Sequence, residues 1–539
     1  MIKEEYEAIY KEQVIEEYKN NPLIEALPEL KSTEQVISSL ANYPYFHKKE
    51  VNLEKHIRIH IIQRIFNFFQ PLPRHLELEQ ALARLIRQGY ISKNPLKKEY
   101  IESLNEGYKE IKYGERANYR FNATASSITL VGVSGIGKST IVDKILNEYD
   151  QVLVHKKYKE KNICFKQVVY LKIDCPFDGS LKSLCLDFFK NVDELIGSNY
   201  FNKYFNSRLS ANAMLPIIKQ ISININLGVL VVDEIQHLST ARSGGAEKML
   251  NFFVTLINTV SVPVVLIGTP KALPLFQNEF RQARRSSGQG NFLWDRLSKN
   301  EEFTLLIEGL WDYQWLKYTK ELTTNIIDTL YEESQGIIDI VIKLFFMAQV
   351  KAISTNKEYI DSKIIKKVSE ENFKILKPML SALKKGKVEE IATFEDIMPL
   401  NIDLFIEKEK KSIEFNKKVE ELRKVKNDIK IKKVEQIKEE VIIKLLELGY
   451  EELEFKDYLY GVLSLNEVDV NKLVRIIIDL ITGSDKKVKN SHKKIVLKEN
   501  DIRFLGNKAK DRGTTVYKEL KNIGYIKELD SFLQEAYDK

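Results

Sequence analysis

The 539-residue chain has few cysteines and no long apolar run, and each absence narrows the class of protein. Its three cysteines, Cys164, Cys175 and Cys185, lie ten or eleven positions apart without a CxxC pair. This spacing excludes a disulfide framework and is not that of a zinc site. No run of eighteen apolar residues could span a membrane, and the charged start, MIKEEYEAIYKEQ, lacks a signal-peptide core. We therefore expect a protein of the reducing cytoplasm without membrane association.

The chain also lacks a strong excess of one charge. Its net charge of +7 and pI near 8.8 permit nucleic-acid binding, but a mixed lysine and glutamate surface reaches such values as well. A hydrophobic content of 44% beside 29% charged residues indicates a soluble globular protein, and the length suggests about three domains.

Short apolar runs alternate with amphipathic stretches in the middle of the chain. The runs read ITLVGVS, VVYLKIDC, LGVLVVDEI, VPVVLIGTP and FTLLIEGL, and they are typical of strands buried on both faces of a parallel sheet. Segments such as STIVDKILNEY, GSLKSLCLDFFKNVDELIG and GGAEKMLNFFVTLINTV are predicted helices. The alternation predicts an α/β domain of three layers.

The flanking regions are predicted to be mostly helical. We divide the chain into a helical N-terminal region, the α/β core, a helical lid with an extension, a Lys/Glu-rich helical connector and a small basic C-terminal domain. In that order the expected ranges are 1–115, 116–310, 311–400, 401–447 and 448–539.

The stretch GVSGIGKS matches the phosphate-loop pattern GxxxxGK[ST] between a predicted strand and a predicted helix. Glycines let backbone N–H groups curl around phosphates, and the helix adds its positive N-terminal dipole. We expect Lys138 to bridge the β- and γ-phosphates and Ser139 to ligate Mg²⁺. The predicted nucleotide-binding residues are Gly132, Val133, Ser134, Gly135, Ile136, Gly137, Lys138, Ser139, Thr140 and Asp233.

Two adjacent acids end the predicted strand GVLVVDEI. Asp233 is predicted to lie beside the metal, and Glu234 to orient and deprotonate an attacking water. P-loop GTPases and most kinases lack this second acid, so the pair favours ATP hydrolysis. For His237, four residues past Asp233, a helix-cap or surface role is favoured over catalysis.

A polar sensor and an arginine cluster follow. Thr269 ends the strand VPVVLIG and is predicted to place a hydroxyl near the γ-phosphate. Arg281, Arg284 and Arg285 lie at helical spacing beyond it, where an arginine could reach the nucleotide of a neighbouring subunit. We favour Arg285 over Arg284 for this role, and a basic surface that faces solvent or DNA is the alternative.

These motifs, in this order and followed by a helical lid, resemble the AAA+ ATPase superfamily. Four further segments, YLKIDCPFDGSLKSLCLDFF, LVVDEIQHLSTARSGGAEKMLNFFVTLIN, VLIGTPKALPLFQNEFRQARRSSGQG and ESQGIIDIVIKLFFMAQ, resemble the TnsC family of transposition regulators. The resemblance extends from about residue 20 to about residue 403, through NPLIEALPEL and PMLSALKKGKVEEIATFEDIMPLNID. It implies a P-loop NTPase core of the AAA+ type with a helical lid, which uses ATP and Mg²⁺.

The resemblance also implies partners. TnsC proteins assemble as homo-oligomeric rings or filaments on double-stranded target DNA and connect a TnsD/TniQ-type target selector to the transposase of TnsA and TnsB. We expect the N-terminal region to dock the selector and the C-terminal domain to meet the transposase. Lys182, Lys203 and Arg208 follow the second strand and are candidate DNA contacts, with a solvated surface as the equal alternative.

One position departs from the AAA+ pattern. Where many lids supply a sensor arginine, SQGIIDIVIK has Asp339, and Lys343 one turn later is a possible substitute. Two other function classes stay open, a loader or signalling ATPase that acts on proteins and, with weaker support, a translocating motor. His56 and His60 have metal-like spacing but lack an HExxH pattern, so packing or a polar surface is favoured for them.

Overall fold

This computed structural model describes residues 5–113, 127–240, 252, 262–272, 290–386, 400–463 and 469–482. Five of its strands form a parallel sheet. The strands are β2 (Ser127–Gly132), β5 (Tyr170–Asp174), β6 (Val229–Asp233), β7 (Val264–Gly268) and β8 (Gly290–Trp294), in the order β5-β6-β7-β2-β8. All four strand pairs are parallel, so every strand presents its carboxyl end at the same edge.

Apolar residues on both faces of the sheet are buried against helices, which gives the three predicted layers. Leu230 and Val232 of β6 pack with helices α7 (Leu181–Ile196) and α9 (Ala211–Asn224). Val229 and Val231 point to the other face, where α4 (Pro73–Ile91) and α6 (Lys138–Leu146) pack. Because successive side chains of a strand face opposite ways, the unbroken apolar run of β6 serves both layers.

The last predicted strand is wrong. FTLLIEGL lies in helix α10 (Glu301–Trp311), and the fifth strand of the sheet is β8, formed by GNFLW. The Asn300 side chain caps α10 by accepting from the N–H groups of Glu302 and Phe303. Residues 303, 306, 307 and 310 are buried at helical spacing, so packing on one face of a helix accounts for the apolar run.

A second, smaller sheet escaped the sequence prediction. Strands β3 (Val152–Tyr158) and β4 (Lys161–Val168) form an antiparallel hairpin, and β1 (Tyr6–Glu7) pairs with β3 in parallel.

The remaining elements are helical, as predicted for the flanking regions. The N-terminal helices are α1 (Pro22–Glu25), α2 (Thr33–Leu40), α3 (Lys55–Ile61) and α5 (Lys98–Tyr113), and α8 (Tyr200–Phe205) follows α7. Past α10 the lid helices are α11 (Thr324–Ser334), α12 (Ile338–Ser354), α13 (Ser362–Asn372) and α14 (Lys377–Lys385). Short 3₁₀ turns cover Glu16–Tyr18, Lys48–Asn52, Ile62–Asn67, Ile235–Thr240 and Pro270–Ala272.

The Lys/Glu-rich connector is one helix, α15 (Ile402–Glu447), in agreement with the prediction of a helical connector. The chain divides into two units, Met1–Ile413 and Glu414–Lys539. The second unit has its own small core, in which the end of α15 packs with α16 (Glu452–Leu463) and α17 (Val470–Ile481). Among the helices in the described ranges, none combines the length and the apolarity needed to cross a membrane.

Candidate nucleotide-binding site

The phosphate loop joins the end of β2 to the start of α6, as predicted from its motif. Gly135 and Gly137 have φ angles of 76° and 88°, a left-handed conformation that favours glycine. Gly132 lies so close to β8 that an added Cβ would come within 2.4 Å of the Trp294 carbonyl oxygen. These three glycines give the loop a conformation in which its amides can face a phosphate, at the positive end of α6.

Lys138 is the first residue of α6 and only 8% of it is exposed. Its ammonium group donates to the carbonyl oxygens of Gly132, at 2.8 Å, and Val133, at 3.1 Å. The positive charge is therefore held inside the loop, where phosphate oxygens could replace the two neutral acceptors with charged ones.

Asp233 ends β6 in register with Asp174 of β5 and is 4% exposed. One carboxylate oxygen, Oδ1, accepts a hydrogen bond from the backbone N–H of Glu234 at 2.9 Å. The other, Oδ2, lies 3.3 Å from the ammonium nitrogen of Lys172 on β5. Both oxygens of this buried carboxylate are thus oriented by the chain itself.

Glu234 and Thr269 are connected by the side chain of Gln236. Glu234 has a φ of 57°, and its carboxylate accepts a hydrogen bond from the Gln236 amide nitrogen. The amide oxygen of Gln236 accepts from the backbone N–H of Thr269 at 3.1 Å. One glutamine therefore joins the ends of β6 and β7, the two strands that carry the predicted base and sensor.

The hydroxyl of Thr269 is buried and has no hydrogen-bond partner among the residues that the structure describes. A buried hydroxyl without a partner is costly, so its position requires another explanation. It lies at the same sheet edge as Asp233 and the phosphate loop, where it could donate to an oxygen of a bound nucleotide or water. The donor set, with Lys138, loop amides, Ser139 and two carboxylates, fits ATP with Mg²⁺.

The start of lid helix α12 contacts the phosphate loop. The backbone N–H of Asp339 donates to the Gly135 carbonyl oxygen at 3.0 Å, and the Asp339 side chain pairs with Lys343 at 2.6 Å. Lys343 is therefore engaged with the acid that occupies the usual arginine position. Arg296 contacts the lid by donating a hydrogen bond to the Gln335 side chain at 2.5 Å.

The other candidate residues are placed as follows. Lys182 donates to the Ser207 carbonyl oxygen at 2.8 Å, Lys203 lies over the Tyr204 ring at 5.2 Å, and Arg208 is exposed. His237 lies in the 3₁₀ turn Ile235–Thr240. Arg281, Arg284 and Arg285 lie outside the described residues. The predicted helix GGAEKMLNFFVTLINTV, except Phe252, and residues 483–539 of the predicted basic C-terminal domain also lie outside them.

His56 and His60 are surface side chains, as favoured from the sequence. His56 lies 3.2 Å from Glu54 and is 62% exposed, and His60 is 3.2 Å from the Lys410 ammonium group. In the part of the chain that the structure describes, no group of three or more His, Cys, Asp or Glu side chains could hold a metal ion by itself.

Lys172 and Gln236 are the site residues that the sequence analysis did not select. A signal for Lys172 was present, since a lysine interrupts the apolar strand YLKID. Gln236 carried no comparable signal, because its role depends on the position of the neighbouring strand β7.

Comparison with known proteins identifies the domain that carries this site. Residues 121–276 match the family model described as AAA domain, and this range includes the phosphate loop, Asp233, Glu234 and Thr269. The chain thus contains an AAA domain, and the sheet, the loop and the helical lid form an AAA+ P-loop fold. No curated protein matches the sequence.

Several solved structures are similar at low identity. The Aeropyrum pernix ORC1 protein in complex with DNA is 14% identical with a TM-score of 0.33, over 71% of this chain and 82% of that chain. The Walker-type ATPase of Pyrococcus abyssi is 16% identical with a TM-score of 0.32, over 55% and 75%. The Thermotoga maritima RuvB Holliday junction branch migration motor is 15% identical with a TM-score of 0.25, over 51% and 68%. Similarity of this extent adds nothing to the assignment of the AAA domain.

Proposed function

We propose that this chain is an AAA+ ATPase of the TnsC type, which assembles as a ring or filament on double-stranded target DNA. There it couples a TnsD/TniQ-type target selector to the TnsA and TnsB transposase, and ATP hydrolysis takes the assembly apart. The ATPase part rests on one observation, the adjacent carboxylates of Asp233 and Glu234 at the sheet edge that also carries the phosphate loop. The transposition part rests on the resemblance of the quoted segments to TnsC.

The proposed reaction is the attack of water on the γ-phosphorus of ATP. The oxygen of water bonds to phosphorus, the bond to the β-phosphate oxygen breaks, and ADP leaves with that electron pair. Glu234 accepts the proton of the water, Lys138 binds the β- and γ-phosphate oxygens, and the Thr269 hydroxyl donates to the γ-phosphate or the water. Ser139 and Asp233 would hold Mg²⁺, which neutralises phosphate charge.

Release of Glu234 from Gln236 is part of this proposal. In the structure the Glu234 carboxylate accepts the Gln236 amide, which occupies an oxygen that a water would need. Movement of Thr269 toward a γ-phosphate would pull on the same glutamine, since its amide oxygen accepts the Thr269 N–H. The arrangement is a resting state that ATP binding can open.

The first test compares Lys138→Ala with Glu234→Gln. Loss of the lysine removes the main phosphate cation, so ATP-dependent assembly should be abolished. Glu234→Gln should retain ATP binding and lower hydrolysis by about 100-fold, the usual worth of a general base, so assemblies should persist on DNA. Electron microscopy and sedimentation with duplex DNA report assembly, and Lys98→Ala, at a side chain 86% exposed, is the control. A Glu234→Gln protein that leaves DNA as fast as the parent would contradict the switch.

The second test distinguishes DNA-dependent assembly from the alternative, a loader or signalling ATPase that acts on proteins. Duplex DNA should stimulate ATP hydrolysis at low salt, and the stimulation should fall steeply as salt rises, because phosphate contacts release counterions. We expect a weaker stimulation, equally so for all DNA sequences, in a triple variant that combines Lys182→Ala, Lys203→Ala and Arg208→Ala. If duplex DNA has no effect at low salt, the protein-directed alternative is favoured.

The third test concerns the subunit interface. We propose that Arg285, or else Arg284, reaches the nucleotide of the adjacent subunit. Each arginine is replaced by alanine separately. The variant that lacks the contributing arginine should hydrolyse ATP about 1,000-fold more slowly in the assembled state, and the other variant should remain active. Unchanged hydrolysis in both variants would exclude the pair.

A further inference from the structure

Lys172 lies in the middle of β5 and contacts two acids of the candidate site. Its ammonium nitrogen is 2.6 Å from an oxygen of Asp143 on α6 and 3.3 Å from Oδ2 of Asp233 on β6. The Lys172 side chain is 22% exposed. A single positive charge therefore stands between the helix that follows the phosphate loop and the carboxylate expected to face the metal.

The two acids differ in their surroundings. The Asp233 side chain is 5% exposed, whereas that of Asp143 is 49% exposed. A buried carboxylate needs a compensating charge, so Asp233 depends on Lys172, while water can solvate Asp143. Burial works against the charged form of Lys172, but the hydrogen bond to Asp143 and the charge of Asp233 raise its pKa above the usual value.

We propose that Lys172 is a positioning residue that competes with the metal for Asp233. In the nucleotide-free protein its ammonium group is shared between Asp143 and Asp233, and when Mg²⁺ and a nucleotide engage the Asp233 carboxylate it stays with Asp143 alone. This inference rests on the proposed nucleotide-binding function and adds to it a residue that sets the magnesium requirement.

Coulomb repulsion is the physical basis. Lys172 carries one positive charge and Mg²⁺ carries two, so at about 4 Å their repulsion corresponds to roughly 30-fold in an equilibrium constant even in water-like surroundings. Asp143 is well placed to receive the ammonium group, because it lies four residues after Ser139 on α6. Residues at that spacing share a helix face, so the metal candidate Ser139 and the second acid face the same side.

The test uses two variants of the full-length chain with opposite expected effects. Binding of a fluorescent ADP analogue is measured as Mg²⁺ is added. The Mg²⁺ concentration that gives half-maximal binding is then compared between each variant and the parent. Lys172→Met removes the competing charge and should lower that concentration by up to roughly 30-fold. Asp143→Asn removes the alternative partner, confines Lys172 to Asp233 and should raise it by a similar factor. Binding in EDTA should be the same in both variants and the parent.

Thermal unfolding gives a second readout that does not depend on activity. In EDTA, Lys172→Met should melt below the parent because Asp233 loses its counter-charge, and the difference should shrink when Mg²⁺ and ADP are present. Lys172→Arg keeps the charge and should leave the Mg²⁺ requirement near that of the parent. If Lys172→Met does not fold, Asp143→Asn alone decides, since its side chain is half exposed.

The outcomes separate this inference from the proposed function. A parent protein that binds no nucleotide at any Mg²⁺ concentration would contradict both. A parent that binds nucleotide, with variants that share its Mg²⁺ dependence or shift it in the same direction, would overturn the role of Lys172 alone. Both variants could also lose binding equally at every Mg²⁺ concentration and in EDTA. That result would show that Lys172 and Asp143 only maintain the fold of the site, and it would also overturn the proposed role of Lys172.

Discussion

Two buried polar residues of the candidate site, Thr269 and Asp233, differ in how their hydrogen-bonding capacity is used. Most buried polar atoms in a folded protein have a hydrogen-bond partner, so an exception such as the Thr269 hydroxyl carries information. Asp233 is the opposite case, with both oxygens engaged by the chain. Thr269, the proposed sensor, thus has a hydroxyl without a partner among the described residues, whereas Asp233 would have to give up a partner in order to bind a metal.

We predict that Thr269→Val separates catalysis from stability. Because the hydroxyl has no partner among the described residues, an isosteric methyl group should leave the melting temperature equal or higher. The same change removes the proposed donor to the γ-phosphate and should lower hydrolysis by about 100-fold. Thr269→Ser retains the donor and should retain activity in an assay of released phosphate. A Thr269→Val protein that melts well below the parent would contradict the buried, unpartnered placement.

A second residue-scale prediction concerns His155 in β3, away from the nucleotide site. Its ring lies between the Tyr10 hydroxyl, at 2.8 Å, and the Gln167 amide oxygen, at 2.9 Å, and stacks on Phe165. Burial lowers its pKa to about 4, against an opposing effect of the Gln167 hydrogen bond. Between pH 6.5 and 4 the unfolded chain therefore holds a proton that the folded chain does not, and stability falls as pH falls through this window.

The measurement is the free energy of unfolding at pH 7 and pH 5. His155 should account for roughly 2 kcal/mol of the loss at pH 5. The His155→Gln variant has no imidazole to titrate at this position. Its free energy of unfolding should therefore fall by roughly 2 kcal/mol less than that of the parent between pH 7 and pH 5. Equal losses in the parent and the variant would show that His155 takes up its proton in the folded state near the ordinary pKa.

At the scale of elements, one buried ion pair joins the N-terminal helices to the lid. Arg58 of α3 forms two hydrogen bonds of 2.7 Å with Glu358, which follows α12, and a third of 3.0 Å with the Trp315 carbonyl oxygen. The side chains are 1% and 8% exposed. The N-terminal region therefore packs with the lid in one unit, although the sequence predicted two separate ranges for them.

We predict that breaking this pair from one side is costly. Arg58→Ala or Glu358→Ala should each lower the free energy of unfolding by about 3–5 kcal/mol, because an unpaired charge stays buried. The double variant Arg58→Met with Glu358→Leu should cost less than the sum of the two, since no charge remains. Denaturant unfolding of the three proteins gives the comparison. Strictly additive losses would mean that the groups do not interact.

At the scale of the whole molecule, the chain has two units with separate cores. In Met1–Ile413 the cores lie on the two sheet faces and in the lid, and in Glu414–Lys539 a small core lies between α15, α16 and α17. All the described residues of the candidate nucleotide site belong to the first unit.

This division predicts two thermal transitions with different responses to nucleotide. If Mg²⁺ and ADP bind the folded first unit as proposed, at 100 times the dissociation constant they should stabilise it by about 2.7 kcal/mol and leave the other transition unchanged. Calorimetry of the full chain with and without Mg·ADP measures both. In Lys138→Ala neither transition should move. A single transition that shifts as a whole would contradict the independence of the two cores.

What the sequence determined by itself is the chemistry of short contiguous segments. The phosphate loop, the acids after β6 and the threonine after β7 were predicted correctly in their local setting, because each motif lies where an apolar strand ends. The TnsC assignment, the DNA contacts and the partners stay predictions. FTLLIEGL was placed in the wrong element because a short apolar run suits a buried strand and a half-buried helix equally.

Only the tertiary structure decided which groups of the side chains and backbone meet across elements. Lys172 reaches Asp143 and Asp233, Gln236 joins Glu234 to the Thr269 backbone, and Asp339 touches the phosphate loop. These contacts depend on strand register and on how helices pack on the sheet. Sequence periodicity predicts neither the strand register nor the helix packing, because the packing energy is shared among residues that are distant in sequence.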